Sequence, residues 1–150
     1  MAVGRLLVAL AVMLMIIPSG GELDGFVIER VPVDGQVSDF RYEWEDVRFV
    51  SRVWEREIDG ATQVDLKIAI LRGARLKTPA ALRAFLREYY ERDPGTWHLE
   101  EFRNGPWRGY VNDSEAFWLV SEGVAITIRT PSGVVTPQEI RKTALSIRTA

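Results

Sequence analysis

Cysteine is missing altogether. A chain without it has no disulfide scaffold, no thiolate nucleophile or metal ligand, and no acylated cysteine at the end of an export signal. Histidine occurs once, at His98, so a metal site built on nitrogen and sulfur has nothing to assemble from. No serine falls in Gly-x-Ser-x-Gly or Ser-x-x-Lys, which leaves nucleophilic catalysis without a local signature. Lysine is confined to Lys67, Lys77 and Lys142, and the net charge is −2, from 19 Lys+Arg against 21 Asp+Glu. That balance offers no basic field for nucleic acid or for an anionic membrane surface.

Long apolar runs are also lacking. The longest, Leu6 to Ile17, has 12 residues, preceded by the basic Arg5 and followed by Pro18-Ser19-Gly20-Gly21. As a helix it would reach only ~18 Å, short of a ~30 Å hydrocarbon core. The three-part layout predicts a cleaved secretory signal over residues 1–21, with the cut near Gly20 or Gly21, and one domain over residues 22–150. The mature protein is therefore expected to be secreted or extracytoplasmic, touching a membrane only through the N-terminal segment if that stays uncleaved.

With 150 residues and 47% hydrophobic side chains, one core of ordinary size is within reach. Gly25 to Val31 reads as an opening strand and Ser38 to Asp46 as an irregular entry to the next. Glu45 to Ile58 and Thr62 to Arg72 flank Asp59-Gly60, the dipeptide of two-residue type I′ hairpins. That turn predicts opposed residues whose numbers sum to 119: Val53 with Leu66, Ser51 with Ile68, Phe49 with Ile70. Arg48, Val50, Arg52, Trp54 and Arg56 then share the other face. Thr78-Pro79 opens a helix with Leu82, Phe85, Leu86 and Tyr89 on one stripe, stopped by Asp93-Pro94-Gly95.

Strands follow at Thr96 to Phe102 and Trp107 to Val111, then a hairpin over Ala116 to Arg129 about Ser121-Glu122-Gly123. A two-residue loop there groups Phe117, Leu119, Ile126 and Ile128. A three-residue loop with a bulge groups Trp118, Val120, Val124 and Ile126, and either way both faces are apolar enough to be buried. Thr136-Pro137-Gln138-Glu139 caps a last helix running to about Ile147, with Glu139 placed to return to the cap N–H. The fold class is α+β: an antiparallel sheet of about six to seven strands, ordered β-β-β-α-β-β-β-β-α, packed against two helices.

That order, with Gly25-Phe26, Val31-Pro32, Trp107-Arg108-Gly109-Tyr110, Phe117-Trp118-Leu119-Val120, Glu122-Gly123-Val124 and the closing Ala144-Leu145-Ser146-Ile147, resembles small secreted bacterial domains of PsbP-like α+β architecture. The resemblance spans nearly all of the mature chain and rests on strand cores and turns. It implies a binding or accessory role and carries over no catalytic residue.

The candidate binding surface is the face with Arg48, Arg52, Trp54 and Arg56, because arginine and tryptophan are favoured at binding hot spots and the arginines recur every ~13 Å along one strand. The expected partner is an extracellular protein or small ligand. Two other classes stay open: a hydrolase using carboxylates among Glu43, Glu45, Asp46 and Glu100, and an apolar carrier lined by Trp107, Tyr110 and Trp118. His98, read as a strand residue, shares a side only with Glu100, and Asn112-Asp113-Ser114-Glu115 is too short for a calcium loop. No metal, cofactor or catalytic constellation is expected.

Overall fold

The computed structural model describes residues 19–150. The expected signal segment lies outside the described residues except for Ser19, Gly20 and Gly21, and these three belong to the domain. Gly20 is buried, its N–H donates to the Ile28 carbonyl, and a Cβ there would sit 2.5 Å from Ile28 Cγ2.

Gly21–Leu23 (β1) and Phe26–Ile28 (β2) make a hairpin about Asp24-Gly25, both at positive φ. Gln36–Trp44 (β3), Val47–Ile58 (β4) and Ala61–Arg72 (β5) form a long meander. Helix Pro79–Tyr89 (α1) follows. Glu100–Asn104 (β6), Trp107–Val111 (β7), Glu115–Ser121 (β8) and Val124–Arg129 (β9) make a second meander. Helix Pro137–Leu145 (α2) and Ile147–Thr149 (β10) close the chain.

The fold is α+β. Seven strands form one antiparallel sheet in the order β3-β4-β5-β9-β8-β7-β6, and β1-β2-β10 form a small separate sheet. Of the segment Ser38 to Asp46, expected to be irregular, all but the last two residues belong to the nine-residue strand β3, and Glu45-Asp46 is a turn. Residues 96–99, expected in a strand, lead into β6 through a turn held by the Asp93 carbonyl. His98 is therefore not a strand residue, and strand alternation does not put it on the side of Glu100.

The large sheet buries both faces. On one, Phe49, Ala69, Leu71, Phe117 and Ala125 pack under α1, which contributes Leu82, Phe85 and Leu86. On the other, Val50, Trp54, Ile68, Ile70, Trp118, Ile126 and Ile128 lie under Ile140 and Ala144 of α2 and under Leu23, Phe26, Ile28 and Ile147 of the small sheet. Each helix begins as its cap sequence requires, with Thr78 accepting from the Ala81 N–H at 3.0 Å and Thr136 from the Glu139 N–H at 3.2 Å. The Glu139 carboxylate turns to Arg30 at 2.8 Å instead of to the cap.

Two bulges set the registers. Beside Asp59-Gly60, opposed numbers sum to 119 as turn chemistry demands (Ile58 with Ala61). Beyond Glu55 they sum to 120, pairing Trp54 with Leu66, Arg52 with Ile68 and Phe49 with Leu71. The extra residue is Asp65. The expected pairs Val53–Leu66, Ser51–Ile68 and Phe49–Ile70 are thus displaced by one residue, and Trp54 joins Leu66, Ile68 and Ile70 in the core. In the second hairpin a two-residue Glu122-Gly123 turn pairs Ser121 with Val124, and a bulge at Val120 then opposes Trp118 to Ile126. Turn length follows one expected alternative and face grouping the other.

Candidate functional site

The shifted register decides the fate of the arginine row. Trp54 is only 4% exposed. Arg52 forks onto both carboxylate oxygens of Asp39 at 2.8 Å and donates Nη1 to the carbonyls of Gly20 (2.6 Å) and Glu22 (3.2 Å). The Arg52 hydrogen bonds hold the Asp39 carboxyl below its usual pKa. Arg56 grips Asp65, the bulge residue, which also accepts from Ser132 Oγ at 2.9 Å. The guanidinium of Arg56 keeps Asp65 ionised below the ordinary carboxyl range despite its burial. Arg52, Trp54 and Arg56 are therefore engaged in holding strands together, and the structure does not gather them into one open surface with Arg48.

Arg48 is different. It is exposed, and among the described residues it makes no ion pair. The register sets it directly opposite Arg72 on β5 and Glu43 on β3. Like charges directly opposite on one face are unfavourable in a sheet. Arg72 is compensated by Asp24, whose carboxylate accepts from Nε and whose carbonyl accepts from Nη2, both at 2.8 Å. That contact also moors the β1–β2 turn to the large sheet. Arg48 and Arg72 line a cleft of ≈ 570 Å³ together with Asp24, Arg41, Glu43 and Val50. A second depression of ≈ 410 Å³ shares Glu43, Arg48 and Arg72 and continues past them to Gly73 and Gly123. The two guanidiniums stand where these depressions meet. Arg41, which also lacks an ion pair among the described residues, rims the first.

A second cleft, of ≈ 500 Å³, opens beyond the C-terminal end of α1, lined by Arg92, His98, Glu100, Asn112, Glu115 and Arg141. Its charges answer one another. Glu115, buried on β8, accepts from Trp97 Nε1 and Asn112 Nδ2 at 3.1 Å each and lies 4.0 Å from Arg92, while Arg141 pairs with Glu100 at 3.2 Å. The atoms left over, Glu115 Oε1 and Arg92 Nε, are sealed from solvent and belong to one loose pair.

Along the same sheet face Glu115 lies opposite Arg129, and Arg129 opposite Lys67. Lys67 donates to the Tyr42 hydroxyl at 3.0 Å, which lies 2.9 Å from that of Tyr89. Burial lowers the pKa of the Lys67 ammonium, and Arg129 pushes the same way. Burial and the Tyr42 hydrogen bond push the Tyr89 phenol up to about 12. Arg129 lies 4.0 Å over the Tyr90 ring. This row is a charged seam beneath the end of α1, closed by its own members.

Of the carboxylates considered for hydrolysis, Glu43 and Asp46 line one depression, the ≈ 410 Å³ one shared with Arg48 and Arg72, while Glu45 sits beside Asp46 in the β3–β4 turn, at φ 48° and 62°, and Glu100 belongs to the other cleft; all four are exposed. The aromatic residues considered for a carrier split between faces: Trp107 and Trp118 pack on the small-sheet side, Tyr110 on the α1 side. Among the described residues no group of three His, Cys, Asp or Glu side chains could hold a metal, and no helix is long and apolar enough to cross a membrane. Sequence reasoning found Arg48 but missed Arg72, Asp24 and Arg41. The signal available for Arg72 was its place at the end of β5; the bulge that sets it opposite Arg48 leaves no mark in a period-two pattern. No protein-family model, curated protein or solved structure matches the chain.

Proposed function

We propose that this is an exported, non-enzymatic binding domain that takes a small anionic ligand, bearing carboxylate or phosphate groups, in the cleft between β3, β4, β5 and the β1–β2 turn. The observation that carries the reading is Arg48: an exposed guanidinium placed opposite Arg72 on β5 and Glu43 on β3, with no ion pair among the described residues, in a cleft of ligand size. An arginine fork matches carboxylate and phosphate geometry, and an anion bridging Arg48 and Arg72 relieves the repulsion between them. Val50 gives the cleft an apolar contact, and Glu43 and Asp24 set its limits by repelling charge placed elsewhere. Export is supported by the N-terminal layout. The PsbP-type resemblance implies the same class of role.

Calorimetric titration with citrate and with pyrophosphate tests this reading. Saturable one-to-one binding of at least one of them is expected, weakened about tenfold or more in Arg48→Ala and unchanged in Arg103→Ala, which sits on the far edge strand. Absence of saturable binding for both, or equal affinity in the two variants, would overturn it.

A further inference from the structure

The two edges of the large sheet are unlike. β6 is five residues long, with Phe102 and Asn104 buried and Asn104 Nδ2 donating to the Ala144 carbonyl of α2. β3 is nine residues long and pairs only with β4, and no described residue's backbone bonds to its outer edge. Val37 and Phe40 on it are each 50% exposed, two of the largest exposures of an apolar side chain among the described residues. A long open edge carrying exposed apolar side chains is a template for another strand. The geometry points to a second copy of this chain as the occupant, joined β3 to β3 in antiparallel pairing about a two-fold axis through Phe40.

Symmetry reduces the choice of register to one integer. In an isologous pair residue i faces j and j faces i, so the paired numbers have a constant sum. Directly opposed residues share a face, so that sum is even. A sum of 80 pairs all nine residues of β3, from Gln36 with Trp44 to Phe40 with its own copy. It puts Asp39 opposite Arg41 twice over, once on each side of the axis, and stacks the two half-exposed Phe40 rings beside it. A sum of 78 opposes Asp39 to Asp39. A sum of 82 opposes Arg41 to Arg41 and Asp39 to Glu43. Larger shifts leave part of the strand unpaired. The full-overlap register is thus also the one whose central charges are complementary.

The side chains are available for it. Asp39 is held on its own strand pair by Arg52 but keeps 49% of its side chain exposed, with lone pairs to spare, and Arg41 has no ion pair of its own among the described residues. The dimer takes Arg41 to the partner's Asp39 and leaves Arg48 and Arg72, which stand on the strands behind, to the cleft. The result is one continuous sheet of fourteen strands, twice the seven of each copy.

The absence of cysteine makes the test clean. A single Phe40→Cys places the two thiols across the axis at a Cα separation of about 4.5 to 5.5 Å, within disulfide reach. Ser38→Cys puts them about 14 Å apart along the strands. The wild-type protein is expected to sediment as a dimer, Phe40→Lys as a monomer, and Phe40→Cys to form a covalent dimer at least about tenfold faster than Ser38→Cys. A wild-type protein that stays monomeric across the concentration range overturns the proposal. So does a dimer that survives Phe40→Lys, or one in which Ser38→Cys links as fast as Phe40→Cys. Phe40 takes no part in the anion cleft, so this experiment and the titrations fail independently.

Discussion

Arg48 and Arg52 sit four residues apart on one face of β4, and nothing in their chemistry distinguishes them. Their surroundings do. Arg52 lies across from Ile68 under the small sheet and spends its donors on Asp39 and on the carbonyls of Gly20 and Glu22. Arg48, at the sheet's end, stands opposite Arg72 on one side and Glu43 on the other and makes no ion pair among the described residues. The same distinction between closed and open valences separates the charged seam under α1 from the Arg48 cleft. The seam has a testable consequence of its own at Tyr89. Its neutral phenol is favoured in the folded protein, so the folded pKa of about 12 lies above the unfolded value of 10.0. Below the unfolded value that preference contributes its full stability, which is lost as the pH climbs from 10.0 toward about 12. Lys67, whose pKa is lowered, acts with the opposite sign, so tyrosinate absorbance is the cleaner readout. A late component near pH 12 is expected in the wild type and reduced by one tyrosine's worth in Tyr89→Phe, where Tyr90, whose phenol burial also pushes up, still titrates late. Tyrosinate formation finished near pH 10 in the wild type would contradict the closed seam.

At the scale of elements, what was legible in the sequence was whatever announces itself locally. Thr78-Pro79 and Thr136-Pro137 start helices at the expected residues, and Asp59-Gly60 and Glu122-Gly123 make two-residue turns. What was hidden depends on partners far along the chain. The bulges at Asp65 and Val120 each insert one residue, and a residue such as Asp65 shows its inward direction only once Arg56 and Ser132 are in place. β3 does alternate, with Asp39, Arg41 and Glu43 on one side and Phe40, Tyr42 and Trp44 on the other, but the alternation is short and stops at the Glu45-Asp46 turn, so a segment read through to Asp46 looks irregular. β10 is three residues long and exists because β2 is there to pair with it. The last helix accordingly ends at Leu145, and Ile147, expected near its end, is a strand residue. Asn104, which lies between the expected strands Thr96 to Phe102 and Trp107 to Val111, closes this end of the molecule: its Nδ2 donates to the carbonyls of Ala144 at 2.7 Å and Ile147 at 3.4 Å, inside the core. Asn104→Ala leaves those buried acceptors without their donor and is expected to cost about 1 to 3 kcal/mol, measured as a shift of the urea midpoint at unchanged slope. A loss below about 0.5 kcal/mol would mean that α2 and β10 do not depend on this contact.

Across the whole molecule, the sheet is covered by α1 on one side and by α2 with the small sheet on the other, and the covers leave two places unfinished. One is the outer edge of β3. The other is the end of β4 and β5, where the small sheet stops at its Asp24-Gly25 turn and Arg48 stands beyond it. Glu100 lies in a different cleft from Glu43 and Asp46, and the aromatic side chains that an apolar carrier would need are on opposite faces of the sheet. The anion cleft is therefore the feature on which the functional account turns. The most direct measurement is an amide chemical-shift map of the ¹⁵N-labelled protein during titration with pyrophosphate. The account predicts that the resonances of Asp24, Glu43, Arg48 and Arg72 move together and saturate, while those of Glu115, Asn112 and Arg141 stay in place. Shifts centred on Glu115 and Arg141, or none that saturate, would contradict it.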